Sequence, residues 1–237
     1  HYLQASIRVR GNGHSNHWCG AVIISPLHVL TAAHCLEGYN KGTYFVRAGD
    51  YNTEISEGTE VDADIEDYYI HEDFRKGLRM NNDIALVLLK RQGTLPLGKD
   101  IVPICLPSED IEYQPGLNCT ISGFGSIQTG ISAHSKDLRY AWIPLLDQSV
   151  CSADHVYGES AINDGMVCAG TLDEGIDTCD GDSGGPLVCL DNGAFTLYGL
   201  TSWGQQCGKA NKPGVYVRVS YYREWINRKI KESLVGR

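Results

Sequence analysis

One serine in this 237-residue sequence lies in a segment whose composition suits a nucleophile. Residues 177–186 read DTCDGDSGGP, which places Ser183 among glycines and acids and close to a cysteine. Glycine permits positive φ and close approach of another group, so this loop can turn N–H groups into one small hollow and leave the hydroxyl exposed beside it. An ordinary polar turn is the alternative that this composition alone leaves open.

A serine hydroxyl is a weak nucleophile at neutral pH, so it needs an adjacent base and a third group that orients the base. Two upstream segments contain suitable residue types. His34 follows the run LTAA, and Asp83 precedes the run IALVLL. Each polar side chain therefore lies at the edge of an apolar stretch that a strand would hold rigidly. A lone histidine or aspartate in such a place is usually structural, and it is the combination that indicates nucleophilic catalysis.

These three segments, in the order His34, Asp83 and Ser183, resemble those of the chymotrypsin-like (trypsin-fold) serine endopeptidases. The resemblance covers nearly the whole chain. It implies that the three residues form a catalytic triad, and that the N–H groups of Gly181 and Ser183 form the oxyanion hole.

Short apolar or alternating runs, separated by Gly, Pro and Asn turns, recur along the chain and are typical of a β-sandwich or β-barrel. One segment has helical periodicity, because Trp225, Ile226 and Ile230 share a face. We therefore predict an all-β fold with a C-terminal α-helix, and the resemblance implies two six-stranded antiparallel β-barrels with the triad between them. The expected divisions of a single protease domain (1–237) are one barrel in 1–107, the other in 108–221, and the helix in 222–235.

Asp177 lies six residues before Ser183, where the resemblance puts the floor of the primary specificity pocket. Gly204 and Gly214 lie where the pocket walls would be, and neither carries a side chain that could block entry. An unpaired buried charge costs about 3–5 kcal/mol, which favours a cationic substrate side chain. We therefore expect cleavage after Arg or Lys, with a surface acid as the alternative. The substrate-binding residues implied by the resemblance are Asp177, Thr178, Ser202, Trp203, Gly204 and Gly214.

The sequence departs from the family pattern at its start. In the resembling family, proteolysis frees an Ile-Val-Gly-Gly-like terminus whose amino group pairs with the acid before the nucleophile, here Asp182. No such sequence precedes Gln4. We expect the chain as given to be zymogen-like, because Asp182 would lack its cation. Phe124 occupies a place usually held by Trp, which we interpret as a packing change.

An acidic loop matches the spacing of the calcium loop in the same family. Carboxylates of Asp50, Glu57 and Glu60, with the backbone carbonyls of Asn52 and Ile55, would supply oxygen ligands for a hard cation. A solvated acidic loop is the alternative. The chemistry itself requires no cofactor, so any calcium would be structural.

Nine cysteines without a C-x-x-C pair argue for disulfides formed in an oxidising compartment and against a zinc site. Connectivity does not follow from the sequence alone. The resemblance leaves Cys105 over, and two-chain relatives use the matching cysteine to hold a cleaved upstream segment. The pairs implied by the resemblance are Cys19–Cys35, Cys119–Cys189, Cys151–Cys168 and Cys179–Cys207.

The net charge of −9 argues against nucleic acid or an anionic membrane as a partner. No apolar run is long enough to span a bilayer, so we expect no membrane insertion. The cysteine content favours a secreted, extracellular protein. One glycosylation sequon begins at Asn118, although its middle residue is the predicted disulfide cysteine Cys119.

The sequence therefore predicts a secreted serine endopeptidase, the catalytic part of a larger two-chain protease. Its expected partners are protein substrates with Arg or Lys at the cleavage site, protease inhibitors, and an upstream chain linked through Cys105. The alternative function is a catalytically silent homologue that acts as a binding or regulatory module. The intact residue types at His34, Asp83 and Ser183 argue against silence by substitution.

Overall fold

The computed structural model describes residues 3–11, 15–126, 134–173, 182–205 and 207–235. Within these ranges the chain forms two six-stranded antiparallel sheets and a C-terminal helix, which confirms the predicted fold class.

The first sheet closes into a barrel in the order β1-β2-β3-β6-β5-β4. Its interior is filled by small and β-branched side chains, including the fully buried Ile7, Val46 and Val87. The strands are β1 (Gln4–Arg10), β2 (Ser15–Ile23), β3 (His28–Thr31), β4 (Tyr44–Ala48), β5 (Val61–Ile70) and β6 (Ala85–Leu89).

The second sheet has the order β8-β7-β10-β11-β12-β9. Its two edges meet where Leu145, which follows β8, makes an isolated bridge with Ala169 of β9. The strands are β7 (Asn118–Gly123), β8 (Arg139–Pro144), β9 (Met166–Ala169), β10 (Pro186–Asp191), β11 (Ala194–Trp203) and β12 (Gly214–Arg218).

Two α-helices lie among the described residues, α1 (Gln148–Cys151) and α2 (Arg223–Val235). The four-residue α1 was not predicted, because it is too short to show helical periodicity. Helix α2 follows a 3-10 turn over Val219–Tyr222 and buries Trp225 and Ile226. None of the described helices combines the length and the apolar character needed to cross a bilayer.

The two barrels share an apolar core beneath α2. Leu30 and Leu86 from the first barrel pack in one cluster with Leu200 from the second and with Trp225 and Ile226 of the helix. This cluster fixes the barrels relative to each other, so residues at their junction are held by packing from both sides.

The disulfides described by the structure are pairs that the resemblance implied: Cys19–Cys35, Cys119–Cys189 and Cys151–Cys168. Cys207 is also disulfide-bonded, and its expected partner Cys179 lies outside the described residues. Among the described cysteines, Cys105 carries a free thiol and is exposed.

Candidate active site

His34 and Asp83 meet at one end of the first barrel. His34 lies in a 3-10 turn just after β3, and Asp83 lies just before β6. These strands are antiparallel neighbours in which Thr31 pairs with Ala85, so the residue that follows one strand lies beside the residue that precedes the other. The imidazole Nδ1 of His34 is 2.7 Å from Oδ2 of Asp83.

The Asp83 carboxylate is buried and hydrogen-bonded at both oxygens. Its side chain is 0 % exposed. Oδ1 accepts the backbone N–H of His34 at 2.9 Å, and Oδ2 accepts the hydroxyl of Ser202 at 2.7 Å. A buried carboxylate without such partners would destabilise the fold by about 3–5 kcal/mol, so the network keeps the charge in place. Because Asp83 engages Nδ1, Nε2 is the nitrogen that can act on a hydroxyl.

Ser183 is held against the first barrel through its backbone. Its carbonyl accepts the N–H of Gly20 at 2.8 Å. The adjacent Cys19 is bridged to Cys35, which follows His34 in the chain, and both sulfur atoms lie within 4.8 Å of an imidazole nitrogen. One hydrogen bond and one disulfide therefore connect the serine segment to the histidine segment. The bridged sulfurs are not available as metal ligands.

Two glycines permit this close approach. A Cβ placed on Gly20 would lie 2.7 Å from the Cα of Gly185, too near for any real side chain. Gly184 has φ +78°, and its Cβ would overlap Oγ1 of Thr31. The glycines around Ser183 therefore serve packing between the barrels as well as turn geometry.

Strand β11 lies along the serine segment. Gly184 donates its N–H to the carbonyl of Thr201 at 2.7 Å, and Thr201 donates to the carbonyl of Gly185 at 2.9 Å. These bonds set Ser202, which reaches Asp83, next to the segment that carries Ser183. Ser202 was predicted only to bind substrate, and in the structure it also donates a hydrogen bond to Asp83.

The predicted pocket walls are adjacent. A Cβ on Gly204 would lie 4.0 Å from the Cα of Gly214 and 3.9 Å from the hydroxyl of Tyr157. The ring of Trp203 meets that of Tyr157 edge-on, with 4.8 Å between centroids. The expected floor Asp177, its neighbour Thr178 and the oxyanion residue Gly181 lie outside the described residues.

Asp182 faces a segment made of glycines on either side of Phe124. The N–H of Gly125 donates to Oδ1 of Asp182 at 2.8 Å. A Cβ on Gly123 or Gly125 would overlap this carboxylate. Phe124 itself is 1 % exposed, in agreement with a packing role.

Comparison with known proteins decides the family, because the trypsin family model matches residues 1–226. The chain belongs to the trypsin family. It is 41 % identical over 215 residues to ovochymase of Halocynthia roretzi, covering 89 % of this chain and 13 % of that protein. It is 38 % identical over 219 residues to human transmembrane protease serine 11A, covering 90 % of this chain and 49 % of that protein.

A third relative is the hepatocyte growth factor activator serine protease of Mus musculus. It is 36 % identical over 219 residues, covering 91 % of this chain and 33 % of that protein. The chain thus spans half or less of the length of the curated relatives it matches.

The acidic loop of this trypsin-family chain forms a compact cluster. Carboxylate oxygens of Asp50, Glu57 and Glu60 lie within 4.8 Å of one another. Glu60 accepts the N–H groups of Glu57 at 2.6 Å and Gly58 at 2.8 Å, and hydrogen bonds of this kind lower the pKa of Glu60. Hydrogen bonds from the loop's own backbone to the Glu60 carboxylate therefore help to fix the loop's conformation.

The buried ion pair between Arg8 and Asp50 was not predicted from the sequence. The two side chains are 5 % and 3 % exposed, with 3.4 Å between Nη1 and Oδ2. Burial raises the pKa of Asp50, and the Arg8 and Arg47 guanidinium groups oppose that shift. Oδ1 of Asp50 is buried without a hydrogen-bond partner. A charged residue within the alternating strand β1 was the available signal.

Proposed function

We propose that this chain is a serine endopeptidase domain that cleaves after Arg or Lys through Ser183, His34 and Asp83. The observation that carries the proposal is the buried Asp83 carboxylate, which bonds His34 Nδ1 at 2.7 Å at the junction where the Ser183 backbone bonds Gly20. Membership of the trypsin family supports the same chemistry.

Each residue has a defined part in the proposed reaction. The Ser183 hydroxyl attacks the carbonyl carbon while Nε2 of His34 takes its proton, and the imidazolium later returns a proton to the leaving amine. Asp83 holds the tautomer with the proton on Nδ1 and stabilises the imidazolium. The N–H groups of Gly181 and Ser183 bind the oxyanion, and each such donor contributes about 3–4 kcal/mol to transition-state stabilisation.

Labelling with a fluorophosphonate probe tests the proposal. After proteolytic activation of the full-length gene product, we expect one equivalent of label on Ser183. We expect Ser183→Ala to abolish labelling and to lower kcat by about 10⁶-fold. The control is Ser149→Ala, because Ser149 is exposed and its hydroxyl donates a hydrogen bond to Asp147. If the proteolytically activated protein does not react with the probe, the result would instead favour a catalytically silent binding module.

The proposed preference for Arg or Lys rests on Asp177. Gly204 and Gly214, which lie close to each other, support a slot open to a long side chain. A carboxylate at the base of such a slot would need a cation. The acidic net charge also favours approach of cationic substrates.

Substitution of the pocket acid gives a direct test of specificity. We expect Asp177→Ser to lower kcat/KM for an arginine ester by about 10²- to 10³-fold, because the substrate cation loses its buried partner. The kcat/KM of the same variant for a leucine ester should not fall to the same extent. Asp110→Ser, at an exposed acid in the connection between the barrels, is the matched control. Equal arginine-ester hydrolysis by wild type and Asp177→Ser would disprove the pocket assignment.

Activation is proposed to act through Asp182. Its carboxylate accepts the N–H of Gly125 and lies against Gly123 and Gly125. In the family pattern, an amino group freed by proteolysis supplies the cation at this acid, and we infer the same requirement here. The cation would fix the loop that carries the oxyanion donors.

The exposed thiol of Cys105 is proposed to hold an upstream chain. The backbone of Cys105 forms an isolated β-bridge with Thr196 of β11. Next to Thr196, the side chains of the cross-strand pair Leu190 and Phe195 are 54 % and 60 % exposed. These apolar side chains offer a surface on which a linked segment can pack. The disulfides of the chain support an extracellular location. There, protein substrates and protease inhibitors would be the partners of the chain.

Limited proteolysis of the full-length gene product tests activation and linkage together. We expect cleavage to raise the fraction of protein that reacts with the fluorophosphonate, and the two resulting chains to stay joined on a non-reducing gel. Cys105→Ser should release the upstream chain without lowering the reactive fraction. A reduced Cys105 in the wild-type precursor would contradict the linkage, and an unchanged reactive fraction would contradict the activation step.

We propose calcium as a structural cofactor of the acidic loop. Three clustered carboxylates and the unpartnered Oδ1 of Asp50 suit a hard cation. The Asn52 carbonyl accepts the Ile55 N–H at 3.4 Å, and it keeps a second lone pair for a ligand bond. Arg8 neutralises part of the charge but bonds the opposite oxygen of Asp50.

Chelation of calcium is expected to lower the thermal unfolding midpoint by a few degrees, because the ion binds only the folded loop. Asp50→Asn should remove this difference. Glu54→Gln should keep it, since Glu54 lies in the same loop but pairs with Lys136 at 2.8 Å. Identical midpoints with calcium and with chelator would exclude the site.

A further inference from the structure

Three consecutive residues on the loop before β6 each accept a hydrogen bond from the C-terminal half of the chain. Oδ1 of Asn81 accepts from Nδ2 of Asn163 at 2.7 Å. Oδ1 of Asn82 accepts from the hydroxyl of Tyr222 at 2.9 Å. The Ser202 hydroxyl supplies the corresponding bond to Asp83. Residues of the second barrel and of the turn before α2 thus hydrogen-bond to the aspartate and to the two residues that precede it.

Asn82 controls the direction of the Asp83 side chain. The N–H of Ile84 donates to the carbonyl of Asn82 at 2.8 Å, so Asp83 is the central residue of a three-residue turn. Asn82 itself has φ +52°, in the left-handed region that non-glycine residues rarely adopt. A rotation of the Asn82 peptide would therefore turn the carboxylate away from His34.

Two side-chain bonds hold Asn82 in this conformation. Nδ2 donates to the carbonyl of Asp73 at 2.9 Å, which identifies Oδ1 as the atom that faces Tyr222. Tyr222 is 3 % exposed. Burial raises the pKa of Tyr222, so its hydroxyl stays protonated and remains a donor. A Cβ on Gly165 would overlap that hydroxyl, so glycine there leaves the space the tyrosine needs.

We propose that Tyr222 is a positioning residue for Asp83 and acts through Asn82. The hydroxyl holds Asn82 in its left-handed conformation, and the turn that Asn82 starts aims the carboxylate at Nδ1 of His34. The proposal rests on the proposed protease function. It assigns a catalytic consequence to a hydrogen bond that touches neither substrate nor reacting atom.

The test compares Tyr222→Phe with Tyr221→Phe, whose side chain is 59 % exposed and adjacent in the chain. Active sites are counted by complete fluorophosphonate labelling, and an arginine ester is the substrate. We expect Tyr222→Phe to lower kcat per labelled site by about tenfold, the size of one ordinary hydrogen bond, with KM unchanged. Tyr221→Phe should match the wild type.

A purely structural role gives a different result and would overturn the proposal. In that case Tyr222→Phe would lower the thermal midpoint or the labelled fraction, while kcat per labelled site would stay within twofold of the wild type. If the proteolytically activated wild-type protein takes no label, the proposed function fails and this inference fails with it.

A second variant tests the route through Asn82 and does not depend on the stability of Tyr222→Phe. Asn82→Gly keeps a positive φ but loses both side-chain bonds, so we expect at least the same loss of kcat per labelled site. Tyr222→Phe added to Asn82→Gly should cause no further loss, because the shared bond is already absent. Additive losses, or wild-type kcat in Asn82→Gly, would overturn the proposal.

Discussion

The structure depends on one buried carboxylate whose hydrogen-bond partners come from both barrels. Asp83 is fully enclosed, and its oxygens are satisfied by His34 from the first barrel and Ser202 from the second. A charge in this position is tolerated only when every partner is in place. The fold that supplies these hydrogen bonds to Asp83 is therefore the same fold that orients the imidazole.

The junction between the barrels provides that condition. The shared apolar cluster under α2 sets the distance between the sheets, and the contact of Gly20 with Gly185 allows the serine segment to approach β2. Hydrophobic burial supplies the attraction, and the absence of side chains supplies the space. The geometry of the candidate site and the packing of the two barrels therefore depend on the same interface.

Much of this arrangement was predictable from the sequence, because short motifs carry it. The periodic apolar runs indicated the strands, and the segments around His34, Asp83 and Ser183 indicated the site. Strand β5 was less visible, since Val61–Ile70 alternates apolar residues with acids. The bonds of Asn163 and Tyr222 to Asn81 and Asn82 were not predictable. They join residues about 80 and 140 positions apart, a pairing that only the packed barrels create.

The hydrogen bond between Asp83 and Nδ1 of His34 can be observed directly by proton NMR. A charge-assisted bond to a buried carboxylate deshields its proton and slows its exchange with water. The account predicts a resonance far downfield of the amide region in the wild type. This resonance should be lost in His34→Ala and in Asp83→Asn and retained in Asp67→Asn, whose exposed carboxylate pairs with Lys41. A wild-type spectrum without that resonance, or its persistence in Asp83→Asn, would contradict the account.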